Sequence, residues 1–190
     1  MKLKTLGLYL CMAVVLAMVG ACGKDTTKIS DYSQDELRKK SRAALHALYE
    51  STPEAKKLRQ HAVAILVFPD VFRAGFIVGG SGGNGVLFTP DEKAKGYFNV
   101  ASASFGLQAG AQGFSEIFFL TTKESLEHIQ STNGWSVGVG PTIVVVDAGA
   151  AKDLSTMSSR YDVFAFITNQ KGLMGGLGVQ GQKITKLNPQ

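Results

Sequence analysis

Cysteine and histidine are scarce in this chain of 190 residues. The two cysteines are Cys11 and Cys22, and the three histidines, His46, His61 and His128, lie far apart with no H-x-x-x-H pair. Metal sites and disulfide frameworks need several such side chains at close spacing. The sequence therefore predicts no disulfide framework and no metal site, and no acid–base pair stands out as a catalytic centre.

The N-terminus has the composition of a secretory leader. Lys2 and Lys4 precede an uncharged run at 5–20, as in a basic n-region followed by an apolar h-region. The run is also about long enough to span a membrane, so a retained anchor is the alternative. The letters VGAC, which end at Cys22, resemble the lipobox of bacterial lipoproteins. This resemblance implies removal of 1–21 and lipidation of the cysteine. Because a small residue rather than aspartate follows, it also implies export to the outer membrane.

Removal of the leader leaves enough chain for one domain. We expect a lipidated polar tether at 22–33 and a single domain at 34–190, which is long enough to bury its own core. Loss of two lysines with the leader lowers the formal net charge from +5 to +3, a balance that identifies no partner. Seven basic and two acidic residues nevertheless fall between Arg38 and Arg59. Positive charge is therefore concentrated directly after the tether.

The basic segment has helical periodicity. Small and apolar residues recur at the spacing of one helix face, namely Leu37, Ser41, Ala44, Leu45 and Leu48. A second short helix is predicted to begin with Thr52 as N-cap and Pro53 at its first position. The basic side chains of such helices are either ordinary solvated surface or a face that attracts anionic lipid headgroups. The sequence leaves both interpretations open.

Glycine dominates the rest of the chain. Of the 22 glycines, 19 lie between Gly75 and Gly181, where they interrupt short runs rich in Val, Ile and Phe. The runs predict about eight strands, and a short helix is predicted from Thr122 to Gln130. Glycine within strands marks bulges and sharp bends. We therefore expect an α+β fold, in which a strongly curved antiparallel β-sheet or barrel-like sheet carries a few packed helices, including the N-terminal amphipathic helix.

The stretch GGSGGNG at 79–85 fits two catalytic patterns, the dinucleotide-binding G-x-G-x-x-G and the hydrolase G-x-S-x-G. Both chemistries require a helix directly after the glycines. The residues that follow, Val86 to Pro90, instead predict a strand that ends at a proline. We therefore interpret 79–85 as the glycine-rich loop of a β-hairpin, with glycine supplying positive φ angles, and expect neither chemistry.

Two longer blocks resemble a known family. The segment AILVFPDVFRAGFIVGG at 64–80, followed by GVL at 85–87, resembles the signature of the SYLF domain family. So does SFGLQAGAQ at 104–112, with Glu116 where that family usually carries an acid. The resemblance spans nearly the whole chain after the leader. It implies a lipid-binding module, because eukaryotic members bind phosphoinositides with help from an N-terminal amphipathic helix and basic residues. Arg73 holds the basic position of the family's (K/R)-A-G-F pattern.

The combined prediction is a non-enzymatic envelope lipoprotein whose domain binds anionic lipid headgroups, either phospholipid or phosphoinositide-like. The residues expected to bind lipid are all basic: Arg38, Lys39, Lys40, Arg42, Lys56, Lys57, Arg59 and Arg73. No catalytic residue, cofactor or nucleic-acid partner is expected, and the protein partners stay open. Lipid on Cys22 would anchor the chain to the outer membrane, with the domain in the periplasm or at the cell surface.

Two alternatives differ in class. A structural lipoprotein would use its glycine-rich sheet to bind protein partners or a cell-envelope polymer. The less favoured alternative is a small outer-membrane β-barrel, whose strands need roughly 9 to 11 residues of alternating polarity. Several of the predicted strands are shorter than this.

Overall fold

A computed structural model describes residues 28–29, 31–131, 134–146 and 160–189. The predicted leader and Cys22 lie outside the described residues. Within these ranges the chain forms three α-helices, one short 3-10 helix and six strands. In chain order they are β1 (Lys28–Ile29), α1 (Asp31–Ser51), α2 (Pro53–Leu58), the 3-10 helix (Arg59–His61), β2 (Ala64–Phe88), β3 (Ala94–Leu120), α3 (Lys123–Gln130), β4 (Trp135–Ser136), β5 (Ile143–Val146) and β6 (Val163–Pro189).

Three very long strands dominate the sheet. Strand β3 lies between β2 and β6 and is antiparallel to both. The short strands β1 and β5 pair with β6 in parallel, and β4 pairs with it in antiparallel, so the sheet is mixed. The predicted α+β fold with a strongly curled sheet and an N-terminal helix is confirmed. Most of the short strands predicted from the sequence are segments of three continuous ones.

Strand β2 folds back on itself. The register with β3 shifts between Phe76 and Val78, and Ile77 at this bend has a φ of 63°. Beyond the bend, a Cβ built on Gly83 would lie 2.7 Å from the carbonyl oxygen of Asp70. One built on Gly85 would lie 2.5 Å from that of Val67. The two halves of β2 therefore meet along a seam, formed by 67–71 and 83–85, that has no room for side chains on these two glycines.

The hairpin loop predicted at 79–85 is wrong. These residues are strand, paired with β3 from Gly79 opposite Ser104 to Gly85 opposite Phe98. The chain reverses instead at 89–93, where the amide of Lys93 lies 3.0 Å from the Thr89 hydroxyl. The glycines at 79–85 have no positive φ angle, so the close approach at the seam, and not turn geometry, explains Gly83 and Gly85.

Buried apolar side chains form one cluster on each face of the sheet. The inner cluster lies inside the curl and includes Phe68, Phe118 and Trp135. The outer cluster joins the sheet to α1 and α2. The helix face predicted from the sequence is confirmed, since Leu45 and Leu48 are fully buried in this outer cluster. As a result, α1 presents only its polar side to solvent.

The shorter helices begin where the sequence predicts. Helix α2 has Thr52 as N-cap and Pro53 at its first position. In α3, the Thr122 hydroxyl accepts a hydrogen bond of 3.2 Å from the amide of Ser125, which satisfies a free amide at the helix start. The Thr52 side chain makes no capping hydrogen bond, so Pro53 is the local signal at the start of α2, whereas a threonine cap satisfies the start of α3.

Candidate functional site

A groove opens where α1 ceases to cover the outer face of the sheet. Its volume is about 670 Å³. The strands are irregular here: the β2–β3 register shifts between Phe68 and Val71, and the β3–β6 register shifts between Gly113 and Ser115. Such bulges bend a strand and re-aim its side chains. The groove is therefore a product of irregularities that lie side by side on neighbouring strands. Its lining includes Lys40, Asp70, Phe72, Ser115, Asn169 and Lys171.

Lysines from two distant parts of the sequence line this groove. Lys40 of α1 forms ion pairs of 3.2 Å with Glu36 and 3.5 Å with Asp70. The hydrogen bond with Glu36 and the charge of Asp70 hold the pKa of Lys40 above its usual value. Lys171 of β6 is exposed and forms no ion pair with a described residue. Lys171 is thus available to an anionic group in the groove, whereas Lys40 would have to exchange its contacts with Glu36 and Asp70 for one.

Hydrogen bonds hold the floor of the groove in shape. The Ser115 hydroxyl donates to the carbonyl oxygen of Pro69 at 2.7 Å. The side-chain amide of Asn169 donates to the same hydroxyl at 3.2 Å. These bonds link all three long strands, which makes this part of the site preorganised rather than dependent on a loop.

Beyond the groove, the outer face of the sheet is apolar, and its side chains are exposed in the part of the chain that the structure describes. Directly paired residues share a face of a sheet, and the pairings place Ala74, Ala111 and Leu173 in one row and Phe76 beside Ala109 in the next. We call this surface the bare face. Its members are Phe72, Ala74, Phe76, Val78, Phe105, Ala109, Ala111 and Leu173.

The bare face exposes large hydrophobic side chains. Leu173 is 89% exposed, Phe76 75% and Phe105 68%. Contiguous exposed apolar surface of this kind marks sites of membrane or protein contact. The bare face is therefore the strongest candidate for an interaction surface among the described residues.

Acidic residues are absent from the strand segments around this face. The segments 71–88, 95–115 and 163–189 contain no Asp or Glu. They contain five basic residues, Arg73, Lys95, Lys171, Lys183 and Lys186. These three segments thus carry only positive formal charge, and they do not repel an anionic partner.

Three of the predicted lipid-binding arginines make contacts within the fold. Arg42 donates to the carbonyl oxygen of Glu92 at 3.0 Å, and Arg59 lies 3.5 Å from its carboxylate. His46 contacts the same carboxylate at 3.0 Å. Arg38 contacts the Tyr97 hydroxyl and the Asp35 carboxylate. These side chains hold the helices against the β2–β3 hairpin.

The predicted lysines of the helices are more accessible. Lys39, Lys56 and Lys57 are exposed and form no ion pair with any described residue. Among the residues predicted to bind lipid, the structure thus brings only Lys40 to the groove and leaves these three on the outer sides of α1 and α2.

Arg73 points into the curl of the sheet and not toward the groove. Its guanidinium lies 4.9 Å from the centre of the Phe114 ring, and its Nε is buried without a hydrogen-bond partner among the described residues. Nearby, the side-chain amide of Gln182 donates to the Glu116 carboxyl at 2.7 Å. Burial raises the pKa of Glu116 to about 7, against the opposing effects of this hydrogen bond and of the Arg73 charge. The two family-signature residues therefore share a buried polar layer.

Sequence reasoning missed Lys171 and the bare face. No local pattern marks Lys171, which reaches the groove only through the register of β6 with β3. The alternation of Phe72, Ala74 and Phe76 does indicate one apolar face of a strand. Nothing in that alternation shows that no described element covers the face.

The described ranges hold neither a metal cluster nor a membrane-spanning helix. Within them, no group of three or more His, Cys, Asp or Glu side chains is placed to hold a metal ion. In the same ranges, no helix has the length and apolar character needed to cross a membrane.

A comparison with protein families matches residues 101–189. The matching family is described as Ysc84: Las17-binding protein actin regulator. The match covers most of β3 and everything through β6, including Glu116 and Lys171, but neither α1 nor β2. No curated protein matches the chain. The family is one of binding domains and is not a known enzyme family. The resemblance seen in the sequence is thereby confirmed over residues 101–189, which match the model of the Ysc84 family, also called SYLF.

Proposed function

We propose that this chain is a bacterial envelope lipoprotein whose Ysc84 domain binds anionic lipid headgroups. The groove beside α1 carries this proposal, because Lys40 and Lys171 line it and the bare face begins at its edge. Each Lys or Arg near an anionic membrane contributes on the order of 1 kcal/mol to binding. Lys39, Lys56 and Lys57 add further charge on the same helical side of the fold.

The N-terminal sequence supports a permanent membrane location. The lipobox-like residues before Cys22 and the apolar run preceding them favour an acylated anchor at the outer membrane, with the domain in the periplasm or at the cell surface. The double acylation expected of a lipobox cysteine is enough for stable anchoring, and a second, electrostatic contact would hold the domain itself against the membrane. The basic groove would supply that second contact.

The proposal predicts that neutralising the groove lysines weakens binding to anionic vesicles. The chain is produced from Gly23, without leader or lipid, because all described elements lie after that residue. Phosphatidylglycerol vesicles are the probe. Replacement of both lysines, Lys40→Gln with Lys171→Gln, should weaken partitioning by about 10- to 30-fold, from about 1 kcal/mol per lysine. Flotation measures the bound fraction.

A matched pair elsewhere provides the control. Lys95 lies at the start of β3 and Lys123 just beyond its end; both are exposed, and neither lines the groove. Replacing them with glutamine removes the same charge and should leave binding nearly unchanged. Equal losses in the two double variants would mean that net charge, and not the groove, governs binding. Absence of vesicle binding by the unmodified chain would refute the proposal.

Protein binding is the second candidate function. The description of the matching family names a Las17-binding actin regulator, and an exposed apolar surface also suits a protein partner. This candidate predicts capture of a partner by crosslinking through the bare face, together with indifference to the anionic lipid content of vesicles.

A further inference from the structure

The bare face lies directly beside the groove. Phe72 belongs to both, and Lys171 is opposite Gly113 in the row that includes Phe72. A headgroup held in the groove would therefore place its acyl chains over the apolar rows that follow. We infer that the bare face enters the hydrocarbon region of an anionic bilayer when the groove binds a headgroup. This inference rests on the proposed function and specifies how the domain sits on the membrane.

The shape of the sheet favours a bilayer as the occupant. The β2–β3 ribbon bends at Ile77, and Val78 pairs with Phe105 just beyond the bend. These large side chains thus stand on the outside of a bend, where they reach furthest from the sheet. A convex apolar surface can penetrate a deformable bilayer, whereas a rigid protein partner must supply a matching hollow.

The charge pattern selects an anionic bilayer over a second copy of the chain. The surrounding segments 71–88, 95–115 and 163–189 contain basic but no acidic residues. Two copies joined through their bare faces would bring these cationic segments together, and like charges in contact destabilise an interface. An anionic surface instead neutralises Lys171 at the border of the face. Apolar side chains flanked by lysines are also the pattern of elements that lie in the membrane interface.

Single-cysteine labelling tests whether the bare face enters the hydrocarbon region of the bilayer. A chain that begins at Gly23 contains no cysteine, so each introduced cysteine carries the dye alone. An environment-sensitive fluorophore is placed at Val78→Cys and, in a separate protein, at Val145→Cys. The two valines are both in strands and are 64% and 62% exposed. Vesicles of phosphatidylglycerol and phosphatidylcholine contain lipids with a quencher on the acyl chain.

Binding should shift the emission of the dye at position 78 to shorter wavelength and expose it to the acyl-chain quencher. The dye at position 145 should show neither change. Flotation of both proteins with no quenching at position 78 would overturn the inference and leave headgroup binding intact. Equal quenching at both positions would also overturn it. Failure of both proteins to float would refute the proposed function itself.

Replacement of one large apolar side chain of the bare face gives a second test that needs no label. Phe76→Ser should weaken vesicle partitioning by about 10- to 100-fold, as expected for withdrawal of one phenylalanine from an apolar environment, with no change in the salt dependence. Val145→Ser is the control and should bind as the unmodified chain does. A dimer in solution that Phe76→Ser dissociates would contradict the inference in favour of self-association.

Discussion

Gly85→Ala is expected to destabilise the fold by about 2–3 kcal/mol, the upper part of the range for overpacked sites. A Cβ at this position lies 2.5 Å from both the carbonyl oxygen of Val67 and Cδ1 of Phe68. Neither neighbour can move easily, because one is backbone in a paired strand and the other is a buried ring in the inner cluster. The two halves of β2 must separate to admit the methyl group. Urea unfolding of the chain that begins at Gly23 measures the loss.

Gly82→Ala, three residues earlier in the same strand, is the control. Its Cβ would approach only the carbonyl oxygen of Val100, at 3.6 Å, which is an ordinary van der Waals contact. Its stability should stay within about 0.5 kcal/mol of the unmodified chain, as for surface substitutions. Equal destabilisation by the two alanines would show that glycine flexibility, and not the seam, explains this stretch.

The second large effect is that Glu116 makes the stability of the fold depend on pH. In the unfolded chain its carboxyl loses a proton near its ordinary pKa of 4.5, whereas burial raises the pKa in the fold to about 7. Between these values the folded state binds more protons than the unfolded state. Stability therefore falls as the pH rises through this interval and stays low above it. The difference in pKa corresponds to about 3 kcal/mol.

Glu116→Gln should remove this dependence. The glutamine carbonyl can accept the same hydrogen bond from Gln182, which donates to Glu116 at 2.7 Å. The variant should match the unmodified chain near pH 4.5 and exceed its stability by about 3 kcal/mol at pH 8. Urea unfolding at intervals between these pH values gives the comparison. Parallel stability curves for the two proteins would show that Glu116 is not held protonated by the fold.

Asp91 and Asp162 titrate below this interval. Hydrogen bonds from Lys93 and Thr89 lower the pKa of Asp91 to about 2, and hydrogen bonds from Thr142 lower that of Asp162. Groups with a lowered pKa contribute stability that is lost only as the pH falls through the folded value. These two carboxyls therefore do not contribute to the change in stability expected between pH 4.5 and 8, and the comparison with Glu116→Gln assigns that change to Glu116.

Local signals predicted the helices well. The apolar stripe of α1, the proline at the start of α2 and the threonine cap of α3 depend on residues within one or two turns, and all three helices follow them. The curl of the sheet was predicted as well, because glycine within a strand marks a bulge or a sharp bend. The same glycines led to a hairpin turn being predicted at the wrong place. Gly83 and Gly85 are required instead by close contacts with Asp70 and Val67, which lie more than ten residues away.

The candidate site depended more heavily on long-range contacts. Charge density in the sequence identified Lys40 but could not separate it from Arg42 and Arg59, which contact Glu92 of a distant turn. Lys171 and Leu173 reach the groove and the bare face only through strand register. Sequence patterns therefore predicted the family, which the comparison confirms, but not the surface that the fold exposes.

Binding of the unlipidated chain from Gly23 to phosphatidylglycerol vesicles, titrated with increasing salt, is the decisive test of lipid recognition by this domain. Screening weakens the contacts of exposed lysines but not the contact of an inserted apolar face. We expect strong binding at low salt, a fall as salt rises, and a residual salt-resistant fraction. Binding that is equal for neutral and anionic vesicles, or no binding to either, would contradict recognition of anionic lipid by the groove and the bare face.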